Sequence, residues 1–279
     1  MAIANQTVPD IGLIIIGDEI LSGKREDRHF QQAKTVLAQR GMALSWVQIL
    51  GDDPGRCEEA LRRSFASKDL VFSFGGIGST PDDHTRQAAA RALGRPLVLH
   101  PEARECIALR CQESGQPLTA ARLRMGEFPE GSEIVPNPYN RIPGFSVGSH
   151  YFLPGFPIMA WPMMEWVLDH HYQALFRSVA EVDRSMIVHE LFEATVTPLL
   201  EEMTTAHPRL KIYSLPSAPV QSGEERVRRH LELGIKLNNV SAAEDSARLM
   251  AELDQAYQTL RQGVLALGGE IAQENQAQR

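Results

Sequence analysis

Residues 72–88 read FSFGGIGSTPDDHTRQA. Gly75, Gly76 and Gly78 allow a sharp turn and let a ligand come close to main-chain N–H groups. Ser79 and Thr80 place hydroxyls beside them. Thr80 reads as a helix N-cap and Pro81 as the first helical residue, and the exposed N–H groups of such a helix start attract an anion. Asp82 and Asp83 then fall in the first turn. Acidic residues there stabilise a helix by roughly 0.3–1 kcal/mol through its dipole. That accounts for one aspartate better than for two beside three glycines, although capping alone stays open as a reading. A phosphate next to two carboxylates is repelled unless a divalent cation lies between them, or unless the ligand carries a ring that donates hydrogen bonds to the carboxylates.

A second acidic pair, Asp18 and Glu19, follows the apolar run Ile11–Ile16. That run reads as a strand buried on both faces, and Asp69–Phe74 reads as another strand ending at the glycines. If the sheet order is 2-1-3, the carboxyl ends of these two strands are neighbours at a topological switch point, where open α/β sheets bind ligands. Taken alone, Gly17-Asp18-Glu19 reads equally well as a plain turn. Lys24, Arg25 and Arg86 are placed either to meet ligand phosphates or to be solvated charges. His29 and His84 have no paired-histidine or HExxH spacing and read as ordinary residues rather than metal ligands. His170-His171 reads as a partner for a helix C-terminus.

The elements that would position these groups alternate. A helix is expected over Asp27–Arg40, with Phe30, Ala33, Val36 and Leu37 inward and Gly41 as its stop. A strand over Ala43–Leu50, a helix from Asp53-Pro54 to Phe65, and a helix over Asp82–Leu93 follow. Such βαβ alternation implies a parallel sheet with helices on both faces. Helices over Pro101–Gly115 and Thr119–Met125 precede a Pro- and Gly-rich stretch with short β pieces at Glu133–Val135, Phe145–Val147 and His150–Leu153. A Met- and Trp-rich core helix over Ile158–Phe176 closes this part. Beyond Val179 the pattern changes. Strands at Arg184–Leu191, Leu210–Leu215 and Leu231–Leu237 and a helix at Glu193–Ala206 precede a long helix to Leu267, entered through a capping box at Ser241–Glu244. The polar tail from Gln273 is expected to fray. The fold class expected is α/β, a three-layer α/β/α sandwich with a mostly parallel sheet over residues 8–177, plus a small α+β domain over residues 180–270.

The chain has 279 residues, 43% of them hydrophobic, and a formal net charge of -7. It is long enough for a sizeable core, and its acidity argues against broad nucleic-acid or membrane-surface binding. Cys57, Cys106 and Cys111 form no CxxC pair, which argues against a disulfide framework and fits a reducing compartment. No apolar run approaches the roughly 20 residues that span a bilayer. The expectation is a soluble cytoplasmic protein, and the loop-rich apolar stretch Phe145–Trp166 raises that of a homo-oligomer.

GDEILSG (Gly17–Gly23), GDD (Gly51–Asp53), GGIGSTPDDHTRQAAARALG (Gly75–Gly94) and LPGFP (Leu153–Pro157) occur in that order. Together they resemble the MoaB/Mog domain of molybdopterin-binding proteins, in the branch found at the N-terminus of the competence/damage-inducible protein CinA. The resemblance covers roughly residues 8–175. It implies molybdopterin or a nucleotide as ligand, a divalent metal, Mg²⁺ being the expected ion, and pyrophosphate hydrolysis of the ADP-ribose or FAD type or nucleotidyl transfer. It places Asp18, Glu19, Asp82 and Asp83 on the metal, with Asp82 and Asp83 catalytic. Gly75, Gly76, Gly78, Ser79, Thr80, Pro154, Gly155 and Pro157 fall on the ligand. The chain departs from that branch at His29 in place of Asn, at Ser79 in place of Pro, at NRIPG (Asn140–Gly144) in place of GTAPG, and at Ile158 in place of Glu. These departures bear on hydrolysis more than on binding, so a non-catalytic molybdopterin- or nucleotide-binding module stays open beside the enzyme.

Overall fold

The computed structural model describes residues 9–176, 181–217, 221–222, 225–226, 229–238 and 246–278. They fall into two compact units. The first holds residues 9–37 and 44–175, the second residues 38–43 and those described from 176 onward.

In the first unit β1 (Ile11–Ile16) is buried along its whole length, as an unbroken apolar run requires. The chain continues through α1 (Asp18–Leu21), α2 (His29–Ala38), β2 (Trp46–Leu50), α3 (Pro54–Phe65), β3 (Leu70–Phe74) and α4 (Thr85–Leu93). Then come β4 (Leu97–Leu99), α5 (Pro101–Glu113), α6 (Ala120–Leu123), β5 (Glu127–Pro129), β6 (Glu133–Val135), β7 (Gly144–Val147), β8 (His150–Leu153) and α7 (Pro157–His171). The sheet order is β2-β1-β3-β8-β7-β6. β2, β1, β3 and β8 are parallel, β7 is antiparallel to β8, and β6 is antiparallel to β7. The 2-1-3 order therefore holds, and the carboxyl ends of β1, β3 and β8 lie side by side. Ile14, Ile16, Val71 and Phe152 pack with Cys57 and Leu61 of α3 and Ala88 and Ala89 of α4. Alternate residues of the same strands point to the other face, where α2 and α7 bury Val36, Leu37, Met163 and Val167. This is the three-layer α/β/α sandwich.

Several elements differ locally from expectation. In α2 the buried stripe starts at His29, while Phe30 is 37% exposed. The Asp27 carboxylate accepts the N–H groups of His29 and Phe30 and so starts the helix there, which puts His29, Ala33, Val36 and Leu37 on one face. The helix expected from Asp82 starts only at Thr85, with His84 in the N-cap position, so Thr80 is no cap and Pro81 no first helical residue. β4 and β5 form an antiparallel pair that the sequence pattern does not announce. α7 stops at His171, with both histidines in its last turn. Most apolar side chains of Phe145–Trp166 are buried within the chain itself, while Phe156 and Ile158 stay exposed.

The second unit runs β9 (Glu181–His189), α8 (Glu193–Ala206), β10 (Lys211–Pro216), the short hairpin β11 (Gln221–Ser222) and β12 (Glu225–Arg226), β13 (Leu231–Asn238), α9 (Ser246–Ala266) and β14 (Glu270–Gln278). Its sheet, ordered β10-β13-β9-β14, is antiparallel throughout. Hairpin apart, that order over β-α-β-β-α-β is the ferredoxin-like arrangement. Leu231, Leu233, Ile235 and Leu237 bury one face with Val196 and Met203 of α8 and Leu253 and Leu260 of α9. The tail expected to fray is instead β14, paired along β9. Tyr257 of α9 donates to the Glu274 carboxylate at 2.8 Å. The capping box at Ser241–Glu244 lies outside the described residues. All three cysteines are free, Cys57 and Cys111 buried and Cys106 half-buried. Among the described residues no helix is long and apolar enough to cross a membrane.

Candidate functional site

A cleft of about 510 Å³ opens at the carboxyl ends of β1, β3 and β8, and residues 75–80 form one of its walls. Gly75 (φ 102°) and Gly76 (φ 68°) take left-handed backbone conformations. A Cβ on Gly75 would lie 2.2 Å from the Ile16 carbonyl oxygen, and one on Gly76 would lie 2.1 Å from Thr85 Oγ1. Only glycine fits either place.

The start of α4 then fixes which way the loop peptides face. The Thr85 hydroxyl donates to the Gly75 carbonyl at 3.0 Å, and the Thr85 N–H donates to the Gly76 carbonyl at 3.0 Å. The Arg86 guanidinium donates to the Gly78 carbonyl. In a trans peptide the N–H points opposite to the C=O. The three carbonyls held inward therefore turn the N–H groups of Gly76, Ile77 and Ser79 outward. Among the described residues no protein acceptor takes these N–H groups or that of Gly78. Successive free N–H groups in such a turn make an anion-binding nest.

The two aspartates after the loop have different surroundings. Asp83 accepts the Thr80 N–H at 2.8 Å and the Thr80 hydroxyl at 2.5 Å. A Cβ on Gly78 would lie 2.5 Å from Asp83 Oδ2. Asp83 is thus a brace of the loop, and this bond between Thr80 and Asp83 delays the helix. Asp82 is exposed and lines the cleft.

Asp18 and Asp52 form a reciprocal clasp. The Asp18 N–H donates to Asp52 Oδ2 at 2.8 Å, and the Asp52 N–H donates to Asp18 Oδ1 at 3.1 Å. Gly51 has no room for a Cβ, which would lie 2.3 Å from Asp18 Oδ1. Asp18 stays outside the cleft lining, whereas Glu19 and Asp52 are part of it. Burial foremost, together with the carboxylates of Asp18, Glu19 and Asp82, raises the Asp52 pKa. Asp52 is the residue that the motif reading passed over as a ligand-facing group. Its signal was the acidic pair after the second strand, of which Asp53 is the N-cap of α3. Among the described residues no group of three or more His, Cys, Asp or Glu side chains is gathered closely enough to hold a metal by itself.

The opposite wall comes from the loop after β8. Pro154 and Gly155 line the cleft, while Pro157 opens α7 and does not. A Cβ on Gly155 would lie 3.4 Å from the Gly75 Cα, so the two loops nearly touch. Met125, Ile142, Phe156 and Met159 give the cleft an apolar side, and Asn137 and Asn140 edge it. Asn137 donates to Asn140 Oδ1 at 2.8 Å and to the Ile142 carbonyl at 3.0 Å, which shapes the Asn140–Gly144 turn from within. Arg25 stands at the rim, 5.9 Å from the Phe156 ring centroid and 3.9 Å from the Glu19 carboxylate. His29, His84, Lys24 and Arg86 do not line the cleft.

The sequence model of the family described as "Probable molybdopterin binding domain" matches residues 12–177. The chain belongs to this family. The match covers the whole glycine loop, both acidic turns and the closing loop of the cleft. A CinA-like protein of Anaeromyxobacter dehalogenans is 32% identical over 165 residues, which are 57% of this chain and 40% of that protein. A protein of Aeropyrum pernix is 29% identical over 271 residues, 96% of this chain and 98% of its own length, so its likeness extends through both units of this molybdopterin-binding family member. The crystal structure of CinA from Thermoplasma acidophilum, described as a protein of unknown function, matches with a TM-score of 0.52 and 27% identity. That match covers 58% of this chain and 97% of the other.

Proposed function

We propose that the cleft binds the phosphate of a pterin or nucleotide, molybdopterin being the pterin that the family description names, together with a divalent cation. On this reading the protein supports pyrophosphate hydrolysis or nucleotidyl transfer at that phosphate. The observation that carries the reading is the set of outward N–H groups at Gly76, Ile77 and Ser79, which share one cleft with the carboxylates of Glu19, Asp52 and Asp82. Anion donors and anionic side chains in one cleft are reconciled by a cation between them. Burial foremost raises the Asp52 pKa, and the neighbouring carboxylates of Asp18, Glu19 and Asp82 add to it. Mg²⁺ fits this donor set, because it is commonly held by one or two carboxylates plus substrate phosphates and water rather than by an all-protein cage. One or two of the carboxylates of Glu19, Asp52 and Asp82 would hold it, with phosphate and water completing the set. Asp18 and Asp83 shape the turns that present these carboxylates. When bound, the ion would polarise a phosphoryl oxygen and make a water more acidic. The loop orients the phosphate, and Met125, Ile142 and Phe156 exclude water from the apolar side.

A second reading, binding without turnover, is favoured by one observation. Among the described residues no histidine lines the cleft to act as a general base, and His29 is buried behind it. One experiment separates the two. Purified protein is incubated with ADP-ribose, FAD and ATP, with and without Mg²⁺, and AMP release is followed beside Asp82→Ala. Metal-dependent AMP release that the variant lacks supports the catalytic reading. Binding with no release supports the module, and no binding of any phosphate ligand removes both.

A further inference from the structure

Arg86 is 2% exposed, which is rare for a guanidinium unless it is paired. It donates to the carbonyls of Gly78 and Arg124, and its Nε has no partner. Asp83 and Glu127 lie near enough to favour its charge, and burial opposes them. Among the described residues neither carboxylate forms an ion pair with it. A buried cation thus sits directly behind the free N–H groups of the glycine loop, with carbonyl oxygens for company and no bound counter-charge.

We infer that Arg86 is a positioning residue for the anion nest: it fixes the Gly78–Ser79 peptide with the N–H toward the cleft, and its charge is balanced by the phosphate that the nest receives. The inference rests on the phosphate-binding reading above. It differs from a role in direct contact, because Arg86 does not line the cleft. It explains why a long cationic side chain occupies the second position of α4, where the helix dipole disfavours it. The nest gives the anion directional N–H donors, and the buried guanidinium adds a poorly screened charge behind them.

Pyrophosphate is the test ligand, measured by titration calorimetry at fixed Mg²⁺ and two salt concentrations for wild type, Arg86→Lys and Arg86→Met. Thermal midpoints and the ¹⁵N shift of the Ser79 amide accompany each titration. Wild type is expected to bind with a perturbed Ser79 amide. Arg86→Met is expected to weaken binding by on the order of tenfold or more, the scale of a lost charge-assisted hydrogen bond. Arg86→Lys, which keeps the charge but not the planar fork, should fall between them and retain the salt dependence. If Arg86→Met does not fold, the comparison of Arg86→Lys with wild type decides. A lysine variant with unaltered affinity and an unaltered Ser79 shift overturns the inference, as does a folded methionine variant that binds like wild type. Failure of wild type to bind pyrophosphate removes the phosphate reading itself, a result distinct from equal binding by all three proteins.

Discussion

His29 Nε2 lies 3.0 Å from the carbonyl oxygen of Gly155, and the imidazole stacks on Phe74 with ring centroids 4.4 Å apart. A carbonyl only accepts, so the ring carries its proton on Nε2 and leaves Nδ1 buried without a partner. One side chain therefore joins the residue before the glycine loop to the loop that faces it across the cleft. His29→Phe preserves a ring against Phe74 and removes the donor to Gly155. It also removes the orphaned Nδ1, so the two changes partly offset. The expected net loss is about 1 kcal/mol of stability, read as a lower urea midpoint, with weaker pyrophosphate binding as the Gly155 loop loosens. A variant that matches wild type in both would mean that the loop is held by packing alone.

Gly75 and Gly78 separate backbone strain from loop bracing. Gly75→Ala forces a Cβ against the Ile16 carbonyl at a left-handed φ. It is expected to cost about 3 kcal/mol or more and to abolish or severely weaken folding. Gly78 has no such backbone demand. The atoms nearest an added Cβ there belong to the Asp83 carboxylate, which is half-buried and can swing away. Gly78→Ala should fold with a loss within about 1 kcal/mol, yet free Thr80 from Asp83 and weaken pyrophosphate binding. Melting curves and calorimetry on both variants test this, and a Gly75→Ala protein as stable as wild type would contradict the strain argument.

Much of the frame was legible because single strong local rules agree. The run IGLIII is short, apolar and rich in β-branched residues, which reads as a strand covered on both faces, and Asp53-Pro54 is both cap and first turn. What escaped depends on partners distant in sequence or on competition between two local rules. The helix expected from Asp82 yields to the bond between Asp83 and Thr80 and to the Gly76 carbonyl that takes the Thr85 N–H. Asp52 faces the cleft beside a clasp with Asp18, 34 positions away. The polar tail becomes β14 because β9 offers it a free edge, and a propensity reading of residues 270–278 contains no trace of that partner. In α2 Ala33, Val36 and Leu37 are buried as expected, and only the first inward position differs, His29 in place of Phe30, since histidine reads as polar while its neighbour reads as core.

At the opposite end of β8 from the cleft, His150 is buried with Nε2 2.7 Å from the Ser64 hydroxyl. Burial, opposed in part by Asp69, lowers its pKa from 6.5 to about 4. The unfolded chain therefore takes up a proton as the pH falls below 6.5 while the native chain stays neutral at this position. Stability contributed here is full above pH 6.5 and is lost progressively down to about pH 4, a fall on the order of 3 kcal/mol. His29, whose pKa burial also lowers, adds to the same slope. His150→Gln retains a partner for Ser64 and has no proton to gain. It should flatten the profile between pH 6.5 and 4 relative to wild type, as measured by urea unfolding at a series of pH values. Parallel profiles would rule out His150 as the source.

Asp52 gathers the electrostatic cost of the cleft. Burial first, and then the neighbouring carboxylates, raise its pKa, against the hydrogen bond from the Asp18 N–H. A carboxyl whose native pKa is raised binds its proton more tightly folded than unfolded. With no cation present it therefore lowers stability as the pH rises past the ordinary carboxylate range. Asp52→Asn leaves an oxygen to accept the Asp18 N–H and removes the charge. In metal-free buffer the variant should melt slightly higher than wild type at pH 7 and not at pH 3, where the carboxylates are largely protonated. Adding Mg²⁺ with pyrophosphate should reverse the order. Ligand that binds the native state raises its midpoint, and wild type, with three cleft carboxylates, gains more than a variant with two. A variant that gains as much as wild type from Mg²⁺ and pyrophosphate would place the cation away from Asp52 and leave Glu19 and Asp82 as its candidates.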